Sequence, residues 1–141
     1  MSFLLDTNVI SEWVKPRPND GVIEWLATVD EDRVYISVIT IAEIRFGIEK
    51  VPPGARRKRM EDWFATDLPT RFDQRILPIN VEIAQACGKI MNGGRVAGRP
   101  IGPMDAFIAA TAQIGDLTLV TRNISDFEFI GLPMISPWNH V

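Results

Sequence analysis

At 141 residues the chain has room for one domain with a real core and is short for two. Hydrophobic residues make up 46% and charged residues 23%, a globular composition that excludes a disordered chain. The net charge of -3 excludes a simple phosphate-binding surface, which carries a basic surplus, unless bound cations neutralise the site.

The chain opens on a short apolar strand, Phe3 to Leu5, that ends directly on Asp6. A helix over Thr7 to Val14 follows, stopped by the proline-rich "KPRPND", and another over Gly21 to Val29. A second strand, Val34 to Ser37, leads into a helix over Ile39 to Lys50 that is apolar on nearly every side yet carries Glu43. After "VPPG" a helix runs from Ala55 to Phe64 or beyond, and a third strand spans Ile76 to Ile79. The cations of that helix, Arg56 to Arg59, stand near its start, where the helix dipole disfavours them unless an anion is bound; a solvated face is the default reading. Next come a helix over Val81 to Met91, a glycine-rich loop over Asn92 to Pro103, and a helix over Met104 to Ile114 capped by Gly115. Strands over Leu117 to Thr121 and Met134 to Ser136 complete the chain. Strands alternating with helices predict an α/β domain, 1–141, with a mostly parallel sheet of about five strands.

Cys87, the single cysteine, lies in the helical "VEIAQACGKIM" with no cationic neighbour and reads as a small buried residue. It excludes an intramolecular disulfide and fits a reducing compartment. The N-terminus lacks a basic signal region, and no run approaches the ~20 apolar residues of a membrane span. A soluble cytoplasmic protein is expected. The glycine-rich loop lacks the Gly-Lys-Ser/Thr ending of a phosphate loop, although its Arg95 and Arg99 border a possible site.

Four acids call for a common explanation. Asp6 can be a helix cap, Glu43 the partner of Thr40 in an S/T-x-x-E capping box, Asp105 a helix-dipole partner and Asp126 a turn residue. Together these accounts weaken. Asp6, Asp105 and Asp126 fall near element ends on one side of the expected sheet, where open α/β sheets bind ligands. Glu43 on an apolar helix needs a partner, because burying an unpaired polar group costs roughly 2–7 kcal/mol. A divalent cation relieves both burial and mutual repulsion, and an all-oxygen donor set selects Mg²⁺ or Mn²⁺ over zinc. Such a site serves phosphoryl chemistry through an activated water and a stabilised leaving oxyanion. His140, the only histidine, lies too near the C-terminus for acid–base work.

These residues fall in motifs that resemble a known family. "LLDTNVISE", "ISVITIAEIRFGI", "MDAFIAATA" and "LVTRNISDF", with a closing "PMISPW", are similar in order and spacing to PIN-domain ribonucleases of the VapC or FitB toxin kind. The resemblance covers nearly the whole chain. It implies an α/β/α sandwich and a Mg²⁺- or Mn²⁺-dependent endoribonuclease that binds one or two ions. It assigns Asp6, Glu43 and Asp105 to the metal, with Asp126 as the fourth acid and Asn123 as a supporting ligand. Thr7, Asn8 and Thr121 match its supporting polar positions, and Arg95, Arg99 and Arg122 are candidate RNA-phosphate contacts. It further implies a homodimer and a small cognate VapB- or FitA-like antitoxin, able to join the toxin in a larger assembly on operator DNA. Trp13, Trp25, Trp63 and Phe64 read chiefly as core aromatics, with an antitoxin groove as their alternative role. Two rivals stand beside this reading. An aspartate-nucleophile phosphohydrolase wants a second Asp where this chain has Asn8. A catalytically inactive RNA- or protein-binding module would not need all three core acids.

Overall fold

The computed structural model describes residues 1–139, so His140 lies outside the described residues. Five short parallel strands form the sheet: β1 (Phe3–Leu5), β2 (Val34–Ser37), β3 (Ile76–Leu77), β4 (Thr118–Val120) and β5 (Met134–Ile135). Their order is β3-β2-β1-β4-β5, with every pairing parallel. The chain steps outward from β1 in both directions, so a topological switch point lies between β1 and β4.

A parallel sheet covered on both faces needs apolar residues at successive positions, because neighbouring side chains point to opposite sides. In register, Leu4 lies beside Leu119 and Leu5 beside Val120. The first pair packs with Ile83, Ile90, Ile108 and Phe127 on one face. The second packs with Val9, Ile10, Ile36, Ile48 and Phe72 on the other. Two cores therefore clamp β1 and β4, and the strands cannot slide without exposing one of them.

Among the described residues eight α-helices surround the sheet: α1 (Thr7–Ser11), α2 (Asp20–Thr28), α3 (Val38–Glu49), α4 (Ala55–Asp62), α5 (Leu68–Arg71), α6 (Val81–Val96), α7 (Pro103–Ile114) and α8 (Ile124–Phe127). Between α4 and α5 the chain passes through a π-helical turn, Trp63–Asp67. Among the described residues no helix is long and apolar enough to cross a membrane. The aromatics mostly pack as expected: Trp25 meets Phe3 edge-on at 5.3 Å, and Trp13 approaches Phe72 at 6.2 Å. Cys87 is buried, and burial pushes its thiol pKa up, as suits an inert packing residue.

One buried acid has a structural role that the sequence reading passed over. Glu12 is 2% exposed and accepts a hydrogen bond from the Asn19 backbone N–H at 2.8 Å. Its other oxygen faces the Lys15 ammonium. Asn19 in turn caps α2, so Glu12 closes the turn between the first two helices.

The glycine-rich segment departs from expectation. The predicted loop over Asn92 to Pro103 is helical through Val96, and only the last part of it is a turn. Packing overrides the poor helix propensity of Asn92, Gly93 and Gly94. Gly94 continues the buried stripe of Cys87 and Ile90, and its missing side chain admits the returning chain. A Cβ there would stand 2.7 Å from the Arg99 carbonyl oxygen and 3.3 Å from Ile101 and Phe129.

Gly94→Ala is therefore expected to lower stability. Overpacking costs about 1–3 kcal/mol, against a helix-propensity gain of at most about 1 kcal/mol. Thermal denaturation of the two proteins checks this; an unchanged or higher Tm would show that the turn yields freely.

Candidate active site

Asp6 is the residue at which β1 leaves the sheet. Its backbone N–H still bonds the Val120 carbonyl of β4, at 2.9 Å, so the strand pairing positions it. The residue is 4% exposed. Oδ1 accepts from the Thr7 backbone N–H at 2.8 Å, capping α1, and Oδ2 accepts from the Thr121 hydroxyl at 2.8 Å. Asn8 adds a longer contact to Oδ2, 3.4 Å, and receives the Arg122 backbone N–H on its own Oδ1. The capping account of Asp6 is correct and incomplete, because the cap occupies one oxygen only.

Glu43 reaches the same place from α3. Its Oε1 accepts the Thr7 hydroxyl proton at 2.6 Å, and Thr7 Oγ1 lies 3.0 Å from Thr40 Oγ1. A hydroxyl has one proton, so Thr40 donates to Thr7 and Thr7 donates to Glu43. The capping box over Thr40 and Glu43 does not form: Ser37 caps α3, its hydroxyl accepting from the Ile39 N–H at 3.0 Å. Thr40 is instead a fully buried residue inside the helix that orients Thr7 and, through it, Glu43. The sequence reading missed this role, although the i, i+3 spacing of Thr40 and Glu43 already put both on one helix face.

Asp105 lies in the first turn of α7, and Asp126 lies in α8. Both line a cavity of about 330 Å³ with Arg99. Arg99 donates to the Ser125 carbonyl at 2.6 Å and lies 3.8 Å from Glu128. Arg95 is turned to Asn92 on the exposed side of α6, and the Arg122 guanidinium lies over the Trp138 ring. Of the three candidate phosphate contacts, Arg99 alone lines this cavity. Asn123 sits at the start of α8, and its backbone N–H donates to Thr121 Oγ1 at 3.1 Å. Asp126, rather than Asn123, shares the cavity with Asp105.

Electrostatics join the acids. Burial pushes the Asp6 pKa up from 3.8 to about 6. The bonds from Thr121 and Thr7 oppose the rise, and the charges of Asp105 and Glu43 add to it. Asp105 is also raised, first by burial and then by repulsion from Glu43 and Asp126. Four carboxylates therefore share one electrostatic site at the carboxyl ends of β1 and β4. Among the described residues no three acids close into a finished cage around a single point. The donor set is nevertheless all oxygen, crowded and short of positive charge, which fits a hard divalent cation and does not fit zinc.

A parallel α/β sandwich with carboxylates gathered at its switch point defines a class of acid-centred α/β proteins. The chain belongs to the PIN domain family, whose model matches residues 3–128. It is 36% identical over 135 residues to the VapC ribonuclease Y4jK of Sinorhizobium fredii, covering 96% of each chain. It is 35% identical over 136 residues to toxin FitB of Neisseria gonorrhoeae, covering 96% of this chain and 98% of the relative. The solved structure of FitAB bound to a DNA fragment superposes with a TM-score of 0.91 at 34% identity, covering 97% of this chain and 96% of that one.

The raised Asp6 pKa makes stability pH-dependent. Between pH 3.8 and about 6 the folded state holds a proton that the unfolded chain has lost, so stability falls as pH rises through this window. Ionised Asp6 then destabilises the metal-free fold by about 3 kcal/mol. With divalent ions chelated, Asp6→Asn is expected to melt above the parent at pH 7.5, the difference shrinking towards pH 4. Tm measured across that range checks it; a gap that widens on acidification would be the contrary result.

Proposed function

We propose that this protein is the toxin of a toxin–antitoxin pair, a Mg²⁺- or Mn²⁺-dependent endoribonuclease that hydrolyses RNA phosphodiester bonds in the cytoplasm. The observation that carries this reading is the buried Asp6 carboxylate, held by Thr121 and Thr7 and repelled by Asp105 and Glu43. Carboxylates held together against their own repulsion are suited to a cation rather than to one another.

Asp6, Glu43, Asp105 and Asp126 would hold one or two ions. When bound, the metal supplies a polarised attacking water and compensates the charge on the departing oxygen. The chain's own residues set the stage. Thr121 and the α1 N-terminus fix Asp6 in one rotamer, and the Thr40–Thr7 relay fixes Glu43. Asn8 ties the end of β1 to the turn after β4. Arg99, on the cavity shared with Asp105 and Asp126, can engage a substrate phosphate. The full-length similarity to a VapC ribonuclease and to toxin FitB supports both the reaction and the toxin role. A small antitoxin covering the acids and a homodimer belong to the same proposal.

Asp105→Asn is expected to reduce RNA cleavage by about 100-fold or more while the protein stays folded. Excess chelator is expected to stop the parent enzyme, and added Mn²⁺ to restore it. Gel analysis of a mixed RNA substrate reads both. Cleavage surviving the substitution and the chelator would remove the metal-dependent mechanism.

A further inference from the structure

Glu43 lines a second cavity, distinct from the one that Arg99 lines with Asp105 and Asp126. This cavity, about 250 Å³, is lined by Glu43 together with Lys15, Arg56, Met60 and Trp63. A neighbouring cavity of about 370 Å³ shares Lys15, Arg56, Met60 and Trp63 with it and adds Arg59. The two form a continuous groove that starts at a catalytic-site acid and runs along α4. Its charge differs from that of the rest of this acidic chain. Arg57 is tied to Glu49 at 2.8 Å and to Glu61 at 3.0 Å, and Lys15 is paired with Glu12. Arg56 and Arg59 are exposed, and among the described residues neither has a carboxylate partner. Arg56 stands in the first turn of α4, where the helix dipole adds to its positive potential instead of offsetting it. An anion in the groove satisfies all of this.

The groove also has an aromatic wall. Trp63 lines both cavities and begins the π-helical turn, Trp63–Asp67, that separates α4 from α5. π-turns inside helices recur at functional sites because the extra residue re-aims a side chain. Further along, the cations are already engaged: Arg71 bonds Glu31 at 3.1 Å and lies over the Trp13 ring. Of the cations that line the groove, Arg56 and Arg59 are the two without a carboxylate partner among the described residues.

We propose that this groove is the track of single-stranded RNA on one side of the scissile bond, with phosphates on Arg56 and Arg59 and a base against Trp63. The inference rests on the ribonuclease reading and adds the substrate's path and strandedness to it. Unpaired cations beside a half-buried tryptophan are the elements by which single strands are held, through backbone charge and base stacking. A duplex presents no free base face to Trp63. RNA in this track and against Arg99 would cross the acids from one cavity to the other.

The test uses the full chain carrying Asp105→Asn, so that RNA binds without being cut. A fluorescein-labelled single-stranded RNA of about twelve nucleotides is titrated across a series of KCl concentrations and followed by anisotropy. Adding Arg56→Gln and Arg59→Gln is expected to raise Kd about tenfold and to shrink the salt slope by about 1.4, the value for two single-strand phosphate contacts. Arg56→Lys with Arg59→Lys should return most of the affinity and the slope. Both positions are exposed, so circular dichroism should show an unchanged fold. An unchanged Kd and slope in the glutamine variant would overturn the track while leaving the ribonuclease reading intact. Intact RNA affinity with lost binding of a co-expressed antitoxin would assign the groove to a protein and likewise overturn it. If the chain without substitutions neither binds nor cuts RNA, the ribonuclease reading itself fails, and the track with it.

Discussion

The hydrogen bond from the Thr121 hydroxyl to Asp6 Oδ2 joins the ends of β1 and β4 across 115 positions of sequence. It is buried, so neither partner can exchange it for water without opening the sheet edge. The same two strands are locked from both faces by the Leu4–Leu119 and Leu5–Val120 pairs. A sheet whose register is fixed by two cores delivers Asp6 to one place. The polar residues around it then need only set its rotamer. Site geometry here is a consequence of strand register.

The second support comes from α3. An unsupported glutamate on an exposed helix surface samples many rotamers, whereas Glu43 receives a short bond from Thr7, itself held by Thr40. Thr7 is thus the joint between the two halves of the site: its N–H holds Asp6 and its hydroxyl holds Glu43. The acids are oriented through one residue that carries no charge. Local hydrogen bonding of this kind lets carboxylates stay close despite repulsion, at a cost recorded in the raised pKa of Asp6 and Asp105.

Much of this was legible in the sequence because apolar runs ended on acids. The five strands and their mostly parallel pairing follow from period and punctuation, and Asp6, Glu43, Asp105 and Asp126 stood out as acids at element ends or on an apolar helix. The extent of α6 does not, since three poor helix formers are held helical by a contact with the turn after Val96 that no local pattern announces. Thr40 was visible but ambiguous, because one spacing serves both a capping box and a shared helix face; the chain resolved it by capping α3 with Ser37. The fold brings Asp126, which the family resemblance gives as the fourth acid, to the cavity of Asp105. The π-turn at Trp63 had no sequence signal at all, since its composition is ordinary for a helix.

An acidic chain that handles RNA faces opposing demands. Its candidate site gathers carboxylates, and those carboxylates repel the substrate backbone. The described residues resolve the conflict by position. Negative charge is concentrated and partly buried at the switch point, and unpaired positive charge stands exposed on α4 beside it. Net charge is the wrong measure for such a molecule, because screening limits each surface group to about 8 Å at physiological salt. Within that range a phosphate beside Arg56 or Arg59 responds first to those cations.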